Sequence, residues 1–411
     1  MNEPNEKELN TENNPDAYNQ PTDDINSGYR QNNINQNGSY NYYPQNGQRS
    51  DNGYGQGNIP PYGYSMGNGY YPSSPYAPQA RFDPYAVSYQ EKAQIKRNYF
   101  GTFMRVLIHV LGTNVLGFAL ALIAQLVFGY RLMYNSDGVA IADWKYLLLG
   151  YLPSTIACLC VFLYDKGRSH ISIKSYFSPE GSRFTSLWGT VGTAFLFYVA
   201  GIFLAGMVSS FFYSFGYNVI PDSYSVDSDY SAASLACSFI LVVVIGPICE
   251  ELLYRGVILR RLANVNTRFG IVMSALFFGL MHGNLYQAVL GFCIGLVLGY
   301  AVTKTGSILP SILAHMAINL AAESSSYAYL IFGGDELAVN TYWIVLLIVM
   351  AAVGLITLIS LVANRKIQLP HESEYARRRG VPIMLSCVSF YVVLVYLLYE
   401  VFSIMERVSI Y

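Results

Sequence analysis

From about residue 100 onward the chain is a succession of apolar runs separated by short polar breaks. Runs suited to membrane-crossing helices fall near 103–129, 146–164, 187–213, 232–258, 268–283, 285–303, 307–322, 340–363 and 382–404. The pattern predicts an all-α fold, a polytopic transmembrane helix bundle of eight to nine spans. Three of the runs, 268–283, 285–303 and 307–322, are short for a hydrocarbon core about 30 Å thick, so they are expected to be sheltered inside the bundle.

Basic residues orient the spans. Lys92, Lys96, Arg97 and Arg105 flank the first; Lys166, Arg168, Lys174 and Arg183 follow the second. Arg260, Arg261 and Arg268 follow the fourth, Lys304 the sixth, and Arg365, Lys366 and Arg377 to Arg379 the eighth. The alternate loops are acidic, with Asp222, Asp227 and Asp229, then Asp335 and Glu336. By the positive-inside rule the N-terminus is cytoplasmic and, with nine spans, the C-terminus lies outside, in the plasma membrane if the cell is bacterial. The stretch 171–187 is expected to lie along the inner surface as a short amphipathic piece.

Residues 1–98 are of another kind, rich in Asn, Gln, Gly, Tyr and Pro and poor in aliphatic side chains. They are expected to form a disordered cytoplasmic tail, or a sticky segment that captures a protein partner. The opening "MNEPNEKELN" has no apolar run of the kind a signal peptide needs. Residues 99–411 are then the membrane domain. The chain is 53% hydrophobic and 12% charged over 411 residues, the balance of a membrane protein with a polar appendage. The formal charge of -1 says nothing about nucleic acid, and no nucleic-acid partner is expected. The six cysteines lie in or beside apolar runs and read as small buried hydrophobes, in no zinc-type spacing.

The segment "GPICEELLYRGVILRRL", 246–262, breaks the apolar rule. A charge at the centre of a spanning helix costs about 2.5–3.5 kcal/mol, and three lie here. Glu251 and Arg255 are four apart on one face and can pair; Glu250 is turned about 100° away and remains unclaimed. Pro247 removes a backbone donor and is expected to bend the helix. Two more polar sets follow: Phe278 and His282, then His315 and Asn319, each four apart. Counted at about 1.5 Å per residue from the cytoplasmic ends, Glu250 lies ~15 Å deep, His282 ~21 Å and His315 ~12 Å. They can meet in one middle layer. A carboxylate and an imidazole there could activate water, and a second His with an Asn amide could stabilise the oxyanion formed at an amide carbonyl.

"EELLYR", "FGLMH" and "HMAIN", in that order, resemble the three motifs of the CPBP family of intramembrane proteases, the type II CAAX prenyl endopeptidases and their bacterial relatives. The resemblance covers roughly 187–322 and implies an intramembrane endopeptidase acting on a membrane-bound or lipidated peptide. It implies Glu250 as the base, supported by Glu251 and Arg255, and His282 as the partner holding water, with Phe278 packed beside it. His315 and Asn319 become the oxyanion donors. Family members have carried a metalloprotease label. The glutamate-type reading without a metal cofactor is adopted, with zinc held by Glu250, His282 and His315 as the alternative. Relatives in bacteria serve peptide maturation and immunity to antimicrobial peptides.

Other readings compete. The Glu251–Arg255 pair can be purely structural, and a lone intramembrane histidine is more often packing than chemistry. Cys249 has no adjacent histidine or asparagine that would make it a nucleophile. His109, near Arg105 at the inner end of the first span, and His170 and His371, in cytoplasmic loops, are expected to be solvated or interfacial. Gly291, Gly295 and Gly299, four apart, suggest a close helix contact rather than a phosphate loop. A non-catalytic membrane adaptor or immunity protein could keep the same fold, but a relic would be expected to have lost one of the polar set. A proton-coupled transporter would be expected to show an inverted repeat, and none is evident.

Overall fold

The computed structural model describes residues 87–128, 141–169, 171–178, 181–219, 227–228, 231–368 and 374–408. The expected disordered tail therefore lies, up to residue 86, outside the described residues, as do His170 and His371.

The described chain is all-α, as the apolar runs predict. In order come α1 (Tyr89–Phe128), α2 (Trp144–Ser169), α3 (Phe184–Ser214), α4 (Ala232–Ala263), α5 (Thr267–Leu280), α6 (Leu285–Thr305) and α7 (Leu309–Ile331). α8 (Glu336–Ala363), α9 (Glu374–Arg379), α10 (Val381–Leu385) and α11 (Val388–Ser403) complete it. Six of these are long and apolar enough to cross a membrane, seven if the pair bent by 68° around 385–388 is one span. The protein is an integral membrane protein. Two-residue strands pair at the loops, β1 (Ile141–Ala142) parallel with β3 (Asp227–Ser228) and β2 (Tyr217–Asn218) antiparallel with β4 (Glu406–Arg407).

Helix boundaries depart from the apolar runs where polar residues find partners. α1 starts at Tyr89, ahead of residue 99. α7 continues to Ile331, past the apolar run ending near 322, because the hydroxyls of Ser324 and Ser325 donate back to the carbonyls of Ala321 and Ala322. The short run near 268–283 is a 14-residue helix, α5, almost wholly inside the bundle, as its length requires. The 171–187 stretch differs from expectation: Ile173–Tyr176 is one tight turn whose Tyr176 is fully buried, under the Arg260 guanidinium at 4.1 Å. An aromatic ring that large gains more by plugging the bundle end than by lying on a surface.

Asp165 at the end of α2 bridges Arg105 of α1 at 2.7 Å and Arg261 of α4 at 3.1 Å. Short, capped links then fix the core helices. The Asn266 side chain accepts from Phe269 N–H to start α5, and Asn284 accepts from Gln287 N–H to start α6. The resulting α5–α6 hairpin is very close. A Cβ on Gly291 would lie 3.0 Å from the Gly279 Cα, and one on Gly295 2.9 Å from the Ala275 Cα. The glycines are packing residues, and this close approach brings α5, with Phe278, against α4.

Candidate active site

α4 is not one regular helix. Its segments Phe239–Ile245 and Tyr254–Leu259 are π-helical, and between them lies the α-helical turn Gly246–Leu253 that carries both glutamates. Wider π turns are uncommon and cluster at functional sites. In the first, Gly246 N–H reaches back five residues to the Leu241 carbonyl. The next carbonyl, of Val242, would in that register meet residue 247, a proline with no N–H. The Asn319 amide takes its place, donating to Val242 O at 2.8 Å. In the second π segment all six residues are buried, so the wider turn carries Arg255 into the interior.

The predicted pair is present. Arg255 Nη1 lies 2.8 Å from Glu251 Oε1, both side chains fully buried. The guanidinium also sits over the Phe278 ring, 4.1 Å from its centroid, which recovers part of the cost of dehydrating it. His315 comes between the two glutamates. Its Nδ1 is 3.2 Å from Glu251 Oε1 and its Nε2 is 3.8 Å from Glu250 Oε2. Glu250, with 20% of its side chain exposed, is the more open carboxylate. The glutamates thus differ in environment: Glu251 is sealed between Arg255 and His315, whereas Glu250 is more open and lies 3.8 Å from His315 Nε2, beyond direct hydrogen-bond distance.

His282 lies in the turn after α5, and its Nδ1–H donates to the Phe278 carbonyl at 2.9 Å, leaving Nε2 for other partners. Phe278 is the shared wall of the site. His282, His315 and Tyr254 all meet its ring edge-to-face, at centroid distances of 5.3, 5.4 and 5.5 Å. All seven residues singled out from the motifs therefore fall in one region. Among the described residues no three His, Cys, Asp or Glu side chains are grouped as metal ligands.

His109 corrects an expectation. It is 2% exposed, not interfacial, and both ring nitrogens are engaged: Nδ1 lies 3.2 Å from the Tyr254 hydroxyl, Nε2 3.1 Å from Cys158 Sγ. Arg105, used to place it near the surface, is itself turned inward to Asp165, so it does not mark the interface. Glu323 was also overlooked. His315, Asn319, Glu323 and Tyr327 repeat every four residues along α7. The last three meet α4 in turn: Asn319 at Val242 O, Glu323 at the Ser238 hydroxyl (2.6 Å) and Tyr327 at Leu235 O (3.3 Å). The fourfold spacing was available in the sequence as a signal.

Residues 232–321, which include the α4 turn, Phe278, His282, His315 and Asn319, match the family model of the type II CAAX prenyl endopeptidase Rce1-like proteins. This core is similar to that family. Among curated proteins the chain is 27% identical over 136 residues to one named Putative membrane peptidase YdiL, from Bacillus subtilis (strain 168). That match covers 32% of this chain and 55% of the relative, so the chain spans about half of the relative's length. No solved structure matches. The Rce1-like core is thus α4 to α7, while α1 to α3 and α8 to α11 lie outside the matched segment.

Proposed function

We propose that this Rce1-like chain is an intramembrane endopeptidase that hydrolyses a peptide bond of a membrane-associated or lipidated, CAAX-like substrate. The observation that carries the reading is the position of His315, held by Glu251 and facing Glu250 across 3.8 Å in the segment that matches the family. A water in that gap accepts from His315 Nε2–H and donates to Glu250. Glu250 takes its proton as the oxygen attacks the carbonyl carbon. The oxyanion accepts hydrogen bonds from His315 and from the second amide hydrogen of Asn319, whose first is spent on Val242 O. Glu250 then gives the proton to the leaving nitrogen as the C–N bond breaks. His282 is a second polar partner of the water, and Glu251 with Arg255 holds the His315 ring in place. The step requires a proton on both His315 ring nitrogens, Nδ1–H donating to Glu251 and Nε2–H to the water.

The test is cleavage of lipidated peptides by the full chain reconstituted in vesicles. Glu250→Gln, nearly isosteric, is expected to lower kcat by about 10²- to 10⁴-fold with the protein still folded. Turnover persisting in that variant would overturn the base assignment. A wild-type chain that binds such peptides without cleaving them would favour the adaptor or immunity role.

A further inference from the structure

The site as proposed uses α4, α5 and α7, all inside the family-matched segment. α1 lies outside it, yet places a buried histidine against α4. His109 is fully engaged: Tyr254 at Nδ1, Cys158 at Nε2, and the Ser154 hydroxyl at 3.4 Å from Nε2. Its ring meets the Tyr254 ring edge-on at 5.8 Å.

Tyr254 is the residue to which this matters. It lies four residues after Glu250 and therefore on the same helical face. It is also the junction between the α turn carrying the glutamates and the π segment carrying Arg255. Such a change of register is locally unfavourable and needs outside support. Tyr254 receives it at both ends: Ser274 Oγ donates to its carbonyl at 3.0 Å, and His109 meets its hydroxyl at 3.2 Å. Its ring also packs edge-on against Phe278.

We infer that His109 is a positioning residue of the site: by anchoring the Tyr254 hydroxyl it fixes the junction of α4 and so the aim of Glu250. The first span is then part of the working site rather than a lipid-facing scaffold. The inference rests on the protease reading only for its consequence on turnover.

Three variants of the full chain in vesicles test it, with His109→Gln as a conservative control: Tyr254→Phe, which removes a single oxygen, His109→Leu and the double variant of these two. Two readouts are used. One is kcat and KM on lipidated peptides. The other is the alkylation rate of Cys249, the buried neighbour of Glu250, followed by peptide mass spectrometry and needing no substrate. Each single variant is expected to lower kcat roughly tenfold or more with KM little changed, as loss of a supporting partner does elsewhere. Cys249 should alkylate several-fold faster, the double variant should be no worse than the worse single one, and His109→Gln should recover most of the loss. Wild-type kcat and unchanged Cys249 reactivity in Tyr254→Phe would overturn the inference, as would strictly additive effects. If wild type cleaves none of the peptides, the protease reading fails, and the Cys249 rates still decide the positioning claim.

Discussion

α4 and α8 are both long apolar helices, and they are built on different rules. α8 is regular along Glu336–Ala363 and buries only Met350, Gly354 and Thr357, a narrow seam at helical spacing, while Ile344, Ile348, Ile356 and Ile359 stay more than half exposed to what would be lipid. α4 leaves the α register twice and buries Glu251 and Arg255 completely. A span that only crosses a bilayer is specified by hydropathy and one packing seam. A span with charges in its core is specified by its exceptions, which are met by partners on the same helix and on others. Glu251 is met by Arg255 and His315, Arg255 by Phe278, and the carbonyl freed by Pro247 by Asn319.

The contrast is tested most severely at Arg255. Arg255→Met removes the cation and leaves Glu251 without its pair in a sealed interior, which is expected to cost about 3–5 kcal/mol. Ile356→Met in α8, at a position 69% exposed, should stay within about 0.5 kcal/mol. Thermal or denaturant unfolding in one detergent compares the two directly. Similar losses would mean that the buried pair is no more than another packing contact.

The seam of α8 gives a smaller effect. A Cβ on Gly354 would lie 2.6 Å from the Leu196 Cβ and 2.7 Å from its backbone nitrogen. Backbone cannot move aside as a side-chain tip can, so Gly354→Ala should destabilise by about 1–3 kcal/mol and push α8 from α3. Site occupancy in α4 to α7 should not change, and kcat measured on the folded fraction should remain that of wild type. A fall in kcat would show that α8 is coupled to the site after all.

The fold was legible because lipid imposes a simple code: apolar runs give helices. The candidate site was legible through Glu250, Glu251, Arg255, His282 and His315, because a charge or imidazole in an apolar run has few structural uses. What escaped was set by partners distant in sequence. Nothing near His109 indicates that Tyr254 lies beside it 145 residues on. Arg105 misplaced His109 because a basic residue was taken as an interface marker, when Asp165 on another helix draws it inward. The π turns were equally hidden, since their sequences are ordinary aliphatic stretches and the register change is imposed by the packing around them.

Asn319 offers the finest test, because two roles meet in one amide. One N–H supports the Val242 carbonyl that Pro247 cannot serve, and the other is assigned to the oxyanion. Asn319→Ala removes both, and the stability cost should be about 1 kcal/mol, since an unmet carbonyl is tolerated better than an unmet N–H. Adding Pro247→Ala restores a backbone N–H five residues after Val242, in the register of that turn. The double variant should regain most of the stability lost by Asn319→Ala. Its kcat separates the roles. If the amide touches the oxyanion, turnover stays down by about 10²-fold or more even in the restabilised protein. Recovery of kcat along with stability would instead make Asn319 a tie for the broken helix, joining His109 as a residue that aims Glu250 without touching the substrate.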